Sequence, residues 1–308
     1  MSVLFAFPGQ GAQRAGMLHE LPDMPAVRAC LEEASDALGE AVLHLDSAQA
    51  LADTRAVQLC LLVAGVAQAR LLLQDKPAPE YVSGLSIGAY PAAVVAGALG
   101  YADAVRLVAE RGALMQRAYP EGYGMTAILG LDRTTVEHLI ETATTPVFLA
   151  NVNADNQHVI AGSDPAMAAF AARALALGAS AAKRLAMSVP SHCALLDEPA
   201  RELAQAFAKV PVQRPTLGYL SSTCARRLYD PQALRDDLAF NMCRTVDWYA
   251  TLRNAHERGV RLLVELPPGV VLSGLARRVF TSGTVVACQG TRRDTLSALI
   301  RREVSSDH

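Results

Sequence analysis

The feature that most constrains this chain is Gly84-Leu85-Ser86-Ile87-Gly88. It lies between a short extended run, Tyr81-Val82-Ser83, and an Ala/Val-rich segment that reaches Leu99. Gly-x-Ser-x-Gly between a strand and a helix is the nucleophile-elbow pattern. The turn is too tight for side chains on either side of the serine, so glycines flank it. The serine is left exposed at a helix N-terminus, where free N–H groups can hold a developing oxyanion. A surface turn that happens to contain serine fits the same five residues, and the strand–turn–helix setting brings the catalytic reading level with it. Pro91 follows closely enough to remove a hydrogen bond only from the first turns of the helix.

The 308 residues suffice for one large domain or two smaller ones. Apolar residues make up 51% and charged residues 19%, enough for a sizeable core. A net charge of −2 gives no sign of a nucleic-acid partner. No apolar run reaches about 18 residues without interruption, so no membrane span is expected. MSVLFAFPGQGAQ has neither a basic n-region nor a cleavage-like site and reads as a first strand, not a signal peptide. Cys30, Cys60, Cys193, Cys224, Cys243 and Cys288 include no CxxC pair. They read as buried or inert thiols of a reducing, cytoplasmic compartment, with no metal site expected.

In chain order, Ser2–Phe7 is a fully buried strand. The loop Pro8-Gly9-Gln10-Gly11-Ala12-Gln13 follows at its carboxyl end, where open α/β sheets collect ligands; taken alone, the loop reads first as an ordinary βα turn. Residues 24–75 are helical with short breaks. The stretch 55–73 is apolar nearly all round and buried, with Gln58 as a polar residue inside it. In helix 103–118 the apolar face carries Ala104, Leu107, Val108, Leu114, Met115 and Ala118, and Arg111 falls in its middle. A buried arginine without an anion costs several kcal/mol. Its partner is either a buried carboxylate of the chain or a substrate carboxylate held bidentately.

Residues 124–187 read β (124–131), α (133–143), β (147–153), β (158–161), α (165–177), β (181–188), the ferredoxin-like order. They are taken as a small subdomain (124–189) inserted into a larger α/β domain (1–123 and 190–308). Of seven histidines only His192 falls at this junction, in Ser188-Val189-Pro190-Ser191-His192-Cys193. A single histidine is usually structural, but clefts between domains are where sites form. Beyond it come a helix (193–208), strands at 217–221 and 227–229, a helical stretch from Pro231 to about Arg258, a strand (261–266), a helix (270–280), a strand (284–288) and a helix (294–303). Strands alternating with helices imply a mostly parallel sheet.

Six ordered blocks carry a resemblance: FPGQGAQ (7–13), GLSIGAYPAAVVAGAL (84–99), ERGALMQ (110–116), ANVNADNQHVIAG (150–162), SVPSHCALL (188–196) and VELPPGVVLSGLARRV (264–279). Over nearly its whole length the chain resembles the malonyl-CoA:acyl carrier protein transacylases. The resemblance implies an α/β-hydrolase-like large domain and a ping-pong transfer of malonyl from malonyl-CoA to the phosphopantetheine-type thiol of a small carrier protein, with no bound cofactor. Ser86 would be the nucleophile and His192 its base, oriented by backbone carbonyls. The N–H groups of Gln10 and Ile87 would form the oxyanion hole. Arg111 would clamp the malonyl carboxylate, and Gln58 matches an active-site glutamine. At the elbow, Leu85, Ile87 and Ala89 depart from the family's Gly-His-Ser-Leu-Gly-Glu, and Pro267-Pro268-Gly269 replaces Gly-Pro-Gly. The elbow looks more like the epsilon subunit of biotin-independent malonate decarboxylase, which is the branch preferred here and implies other subunits of that complex as partners. A fatty-acid or polyketide transacylase is the alternative. A serine esterase is the alternative of another class, though the chain lacks an HGGG-type motif. A non-catalytic docking subunit, using arginine pairs such as Arg226-Arg227 and Arg277-Arg278 on an acidic carrier, is the third.

Overall fold

The computed structural model describes residues 2–74 and 78–305. The last position of the expected 24–75 helical region, and His308, lie outside the described residues. Strand β1 (Ser2–Phe7) is followed by helices α1 (Pro25–Leu38) and α2 (Thr54–Leu73), then β2 (Tyr81–Gly84), α3 (Ala89–Val95) and α4 (Tyr101–Ala118). Next come β3 (Tyr123–Leu129), α5 (Arg133–Glu141), β4 (Val147–Ala154), β5 (Gln157–Ser163), α6 (Asp164–Ala176) and β6 (Ala181–Arg184). The chain returns through α7 (Asp197–Phe207), β7 (Gly218–Ser221), β8 (Arg226–Leu228), α8 (Pro231–Phe240), β9 (Val246–Asp247) and α9 (Trp248–Glu257). It ends with β10 (Val260–Glu265), α10 (Val271–Ala276), β11 (Thr284–Ala287) and α11 (Arg293–Ser305).

The first sheet has the order β11-β10-β1-β2-β7-β8. All its pairs are parallel except β7 with β8, an antiparallel edge. Val3 to Phe7 are buried on both faces of the sheet, as a central parallel strand requires. Because β1 and β2 are neighbours and parallel, their carboxyl ends open side by side, and the Gln10 loop meets the Ser86 turn there. The second sheet has the order β6-β3-β5-β4-β9 and is antiparallel except for β4 with β9.

Two sequence expectations need correction. The stretch from Pro231 to Arg258 is not one helix. It breaks into α8, a single 3₁₀ turn at Asn241–Cys243, β9 and α9. Arg244 is extended, and the Thr245 hydroxyl donates to Leu149 O at 2.9 Å, which ties the break to the second sheet. Thus the second sheet draws its fifth strand from beyond residue 189. The strand expected over 181–188 stops at Arg184, whose guanidinium donates to the carbonyls of Tyr123, Met125, Leu185 and Met187 and folds the chain inward. Of the six free cysteines, Cys30, Cys60 and Cys193 are buried, Cys243 and Cys288 half-buried and Cys224 exposed.

Helix α2 is long and apolar enough to cross a membrane by length and composition alone. Here nearly every side chain on it is covered by protein, so it is a buried core helix. Asp53 caps it, accepting from the N–H groups of Arg55 and Ala56 at 2.8 and 3.1 Å. Helix α4 lies close against it because Gly112 has no side chain: a Cβ there would meet Arg55 Cα at 2.5 Å. This close approach sets Arg111 beside Gln58.

Candidate active site

The carboxyl ends of β1 and β2 open into a cavity of about 520 Å³ that also touches β3, β4, β5 and α10. Gln10, Gln58, Ser86, Ile87, Arg111 and His192 all line it. All six residues singled out in the sequence therefore come together.

The elbow is as tight as its glycines imply. A Cβ on Gly84 would fall on the backbone of Gly88, and one on Gly88 would fall on the carbonyl of Phe7. Gly9 packs onto the elbow in the same way, since a Cβ there would lie 2.8 Å from Leu85 O. Ser86 itself has φ of 56°, the left-handed region that a non-glycine residue occupies only under constraint. His192 has φ of 64° and is held by its own N–H donating to Met242 O at 2.6 Å.

The two side chains meet. His192 Nε2 lies 2.8 Å from Ser86 Oγ, and Nδ1 faces the carbonyl oxygens of Asn241 at 2.9 Å and Arg244 at 3.2 Å. Two carbonyls can only accept, so Nδ1 carries the proton and Nε2 presents its lone pair to the serine hydroxyl. Burial, then the nearby Arg111 cation, pushes the imidazole down to about 4, which keeps it neutral near pH 7. It is therefore a base.

Arg111 is fully buried. Its Nη1 donates to Gln58 Oε1 at 2.6 Å, and Nη2 lies 3.5 Å from Ser86 Oγ and 3.4 Å from Asn241 Oδ1. The Gln58 amide is fixed from behind by Met115, with Nε2 donating to Sδ at 3.3 Å. Among the described residues the Arg111 guanidinium bonds only neutral groups, Gln58, Ser86 and Asn241, with no carboxylate among them, and its Nε has no partner. Burial lowers its pKa, but a guanidinium stays charged. Of the two partners the sequence left open, the structure offers no internal one.

The N–H groups of Gln10 and Ile87 are not used in hydrogen bonds among the described residues. The loop around Gln10 is shaped by Gly11 N donating to Gln13 Oε1 at 2.6 Å. No cluster of metal-binding side chains occurs among the described residues. Asn241 is the residue that sequence reasoning missed. It sits at the break in the supposed 231–258 helix, and the signal that could have exposed the break is Asp247, which caps α9 by accepting from Ala250 N at 2.9 Å.

A nucleophile, a neutral base, two free N–H donors and an unpaired buried cation in one cavity describe an acyl-transfer site for an anionic acyl group. The acyl transferase domain model matches residues 4–306, and the chain belongs to that family. Within it, the chain is a member of the malonyl-CoA:acyl carrier protein transacylases. It is 38% identical over 291 residues to the malonyl CoA-acyl carrier protein transacylase of Escherichia coli K12, covering 92% of this chain and 94% of that protein. The Bacillus subtilis 168 protein of the same name is 31% identical over 285 residues, 90% of each chain. The structure of the Coxiella burnetii transacylase superposes with a TM-score of 0.93 at 34% identity over 98% of each chain. A malonyl-transacylase in complex with a type II polyketide acyl carrier protein superposes with a TM-score of 0.92 at 34% identity, over 98% of this chain and 100% of that one. These relatives do not single out the malonate decarboxylase branch preferred on the elbow residues. They fit the fatty-acid and polyketide alternative better.

Proposed function

We propose that this chain transfers malonyl from malonyl-CoA to the thiol of an acyl carrier protein through an acyl-enzyme on Ser86, in the manner of fatty-acid and polyketide synthesis. Ser86 Oγ attacks the thioester carbonyl while its proton passes to His192 Nε2. The oxyanion forms against the N–H groups of Gln10 and Ile87. Collapse breaks the C–S bond, and the CoA thiolate takes the proton from His192. The carrier thiol then gives its proton to His192, attacks the Ser86 ester and releases the serine hydroxyl.

The observation that carries this reading is Arg111: fully buried, unpaired by any carboxylate among the described residues, with an orphaned Nε and Nη2 3.5 Å from Ser86 Oγ. Leaving such a charge uncompensated costs several kcal/mol, and a malonyl carboxylate supplies the missing anion. An esterase for neutral acyl groups has no use for it.

The test is intact-protein mass after brief exposure to malonyl-CoA, with Ser86→Ala as control and carrier added second. One malonyl on the wild type only, discharged onto carrier, is the expected result. An adduct lost to water as fast as to carrier supports a hydrolase, and no adduct supports a docking subunit. A second reading, the malonate decarboxylase epsilon subunit, rests on the Leu85, Ile87 and Ala89 elbow. It predicts faster discharge onto a carrier bearing a phosphoribosyl-dephospho-CoA arm than onto one bearing phosphopantetheine.

A further inference from the structure

Asn241 touches both halves of the site. Its backbone carbonyl accepts from His192 Nδ1 at 2.9 Å, and its side-chain Oδ1 faces Arg111 Nη2 at 3.4 Å. The residue is fully buried, and its Nδ2 has no hydrogen-bond partner. An amide buried with one of its polar atoms unsatisfied is costly, so the position has a reason to carry it. Gln58 holds one side of the guanidinium at Nη1, and Asn241 is the acceptor on Nη2. With Nη1 and Nη2 both engaged, rotation of the guanidinium is restricted and the orphaned Nε stays in place.

We infer that the Asn241 side chain is a positioning residue that fixes Arg111 for the acyl carboxylate, so that one residue sets the clamp through its amide and the base through its carbonyl. The inference rests on the clamp reading of Arg111. It requires an amide: an aspartate in the same place would pair with Arg111 itself and take the place of the substrate anion.

The test compares Asn241→Ala and Asn241→Asp with Arg111→Ala, measuring acylation of Ser86 by malonyl-CoA and by acetyl-CoA. Asn241→Ala keeps the backbone carbonyl, so the pH midpoint of acylation stays put while the malonyl-to-acetyl ratio falls about tenfold, mainly through the KM for malonyl-CoA. Asn241→Asp, nearly the same shape, loses malonyl selectivity more severely than Asn241→Ala. A role in packing alone predicts the opposite order, with the isostere the milder change. Equal loss of malonyl and acetyl acylation in Asn241→Ala, or retained malonyl preference in Asn241→Asp, overturns the inference. Should Asn241→Ala fail to fold, Asn241→Asp decides alone. If Arg111→Ala leaves the malonyl-to-acetyl ratio unchanged, it is the clamp reading that falls; if that ratio collapses while both Asn241 variants keep it, only the role of Asn241 is wrong.

Discussion

At the scale of single residues, Arg111 has two parts to play in the proposed function. There it supplies the cation for the acyl group, and its charge is the second cause, after burial, of the low pKa of His192. Arg111→Ala should therefore remove malonyl preference while acetyl transfer survives, and should also move the acid limb of kcat/KM to higher pH. The direction follows from the sign of the interaction: a nearby cation disfavours imidazolium, so removing it makes His192 easier to protonate. A pH–rate profile with acetyl-CoA checks this, and an unmoved acid limb would contradict the electrostatic coupling. Ser86, Arg111 and His192 were each legible in the sequence for a physical reason: flanking glycines, a charge on an apolar helix face, and a histidine at a junction. Asn241 was not. Its partner to the base is a backbone carbonyl, which has no residue signature, and it lies in a helical pattern that conceals a break.

At the scale of elements, the site depends on how closely α4 approaches α2. Gly112 permits the contact with Arg55, and this contact brings Arg111 Nη1 within 2.6 Å of Gln58 Oε1. Gly112→Ala should push the helices apart, costing about 1–3 kcal/mol of stability as overpacking does. The same shift should weaken malonyl acylation more than acetyl acylation. Denaturant titration and the two-donor assay separate these effects. The order of elements was largely legible, because amphipathic helices and buried strands of five or more residues carry a period. The two-residue strand β9 carries none. Its place was set by pairing with β4, an interaction between segments far apart in sequence that local pattern cannot show. The overlong reading of β6 failed for a related reason: past Leu185, whose N–H still donates to Met125 O at 2.9 Å, the chain bonds to itself, with Met187 N donating to Leu185 O and the Arg184 guanidinium to the carbonyls of Leu185 and Met187.

At the scale of the molecule, the buried ionisable groups link stability to pH. His192 is lowered from its ordinary 6.5 to about 4 by burial, so the unfolded chain binds a proton that the folded one refuses. Stability from this group is complete above pH 6.5 and is lost as pH falls toward 4, by on the order of 3 kcal/mol. Asp237 and Glu265 are raised by burial and act the other way, losing stability as pH rises above the ordinary carboxylate range. His192→Asn should remove the first contribution and leave the second. Its unfolding free energy, followed by denaturant titration from pH 7 to pH 4, should decline less than that of the wild type. An identical decline in both would show that His192 is not buried neutral.

The topology also has a consequence for how the protein is made. β1 emerges long before β10 during synthesis, yet it lies between β2 and β10, with Ser2 opposite Val260. Until the β10 segment arrives, one edge of the central strand is bare and apolar, a state prone to mispairing. Ser86 and Arg111 are likewise present in the growing polypeptide well before His192 and the Asn241 carbonyl that orients it. A nascent chain thus carries Ser86 and Arg111 before it has His192 and the carbonyl that orients it, so the Ser86–His192 pair can assemble only after the chain has grown past Asn241.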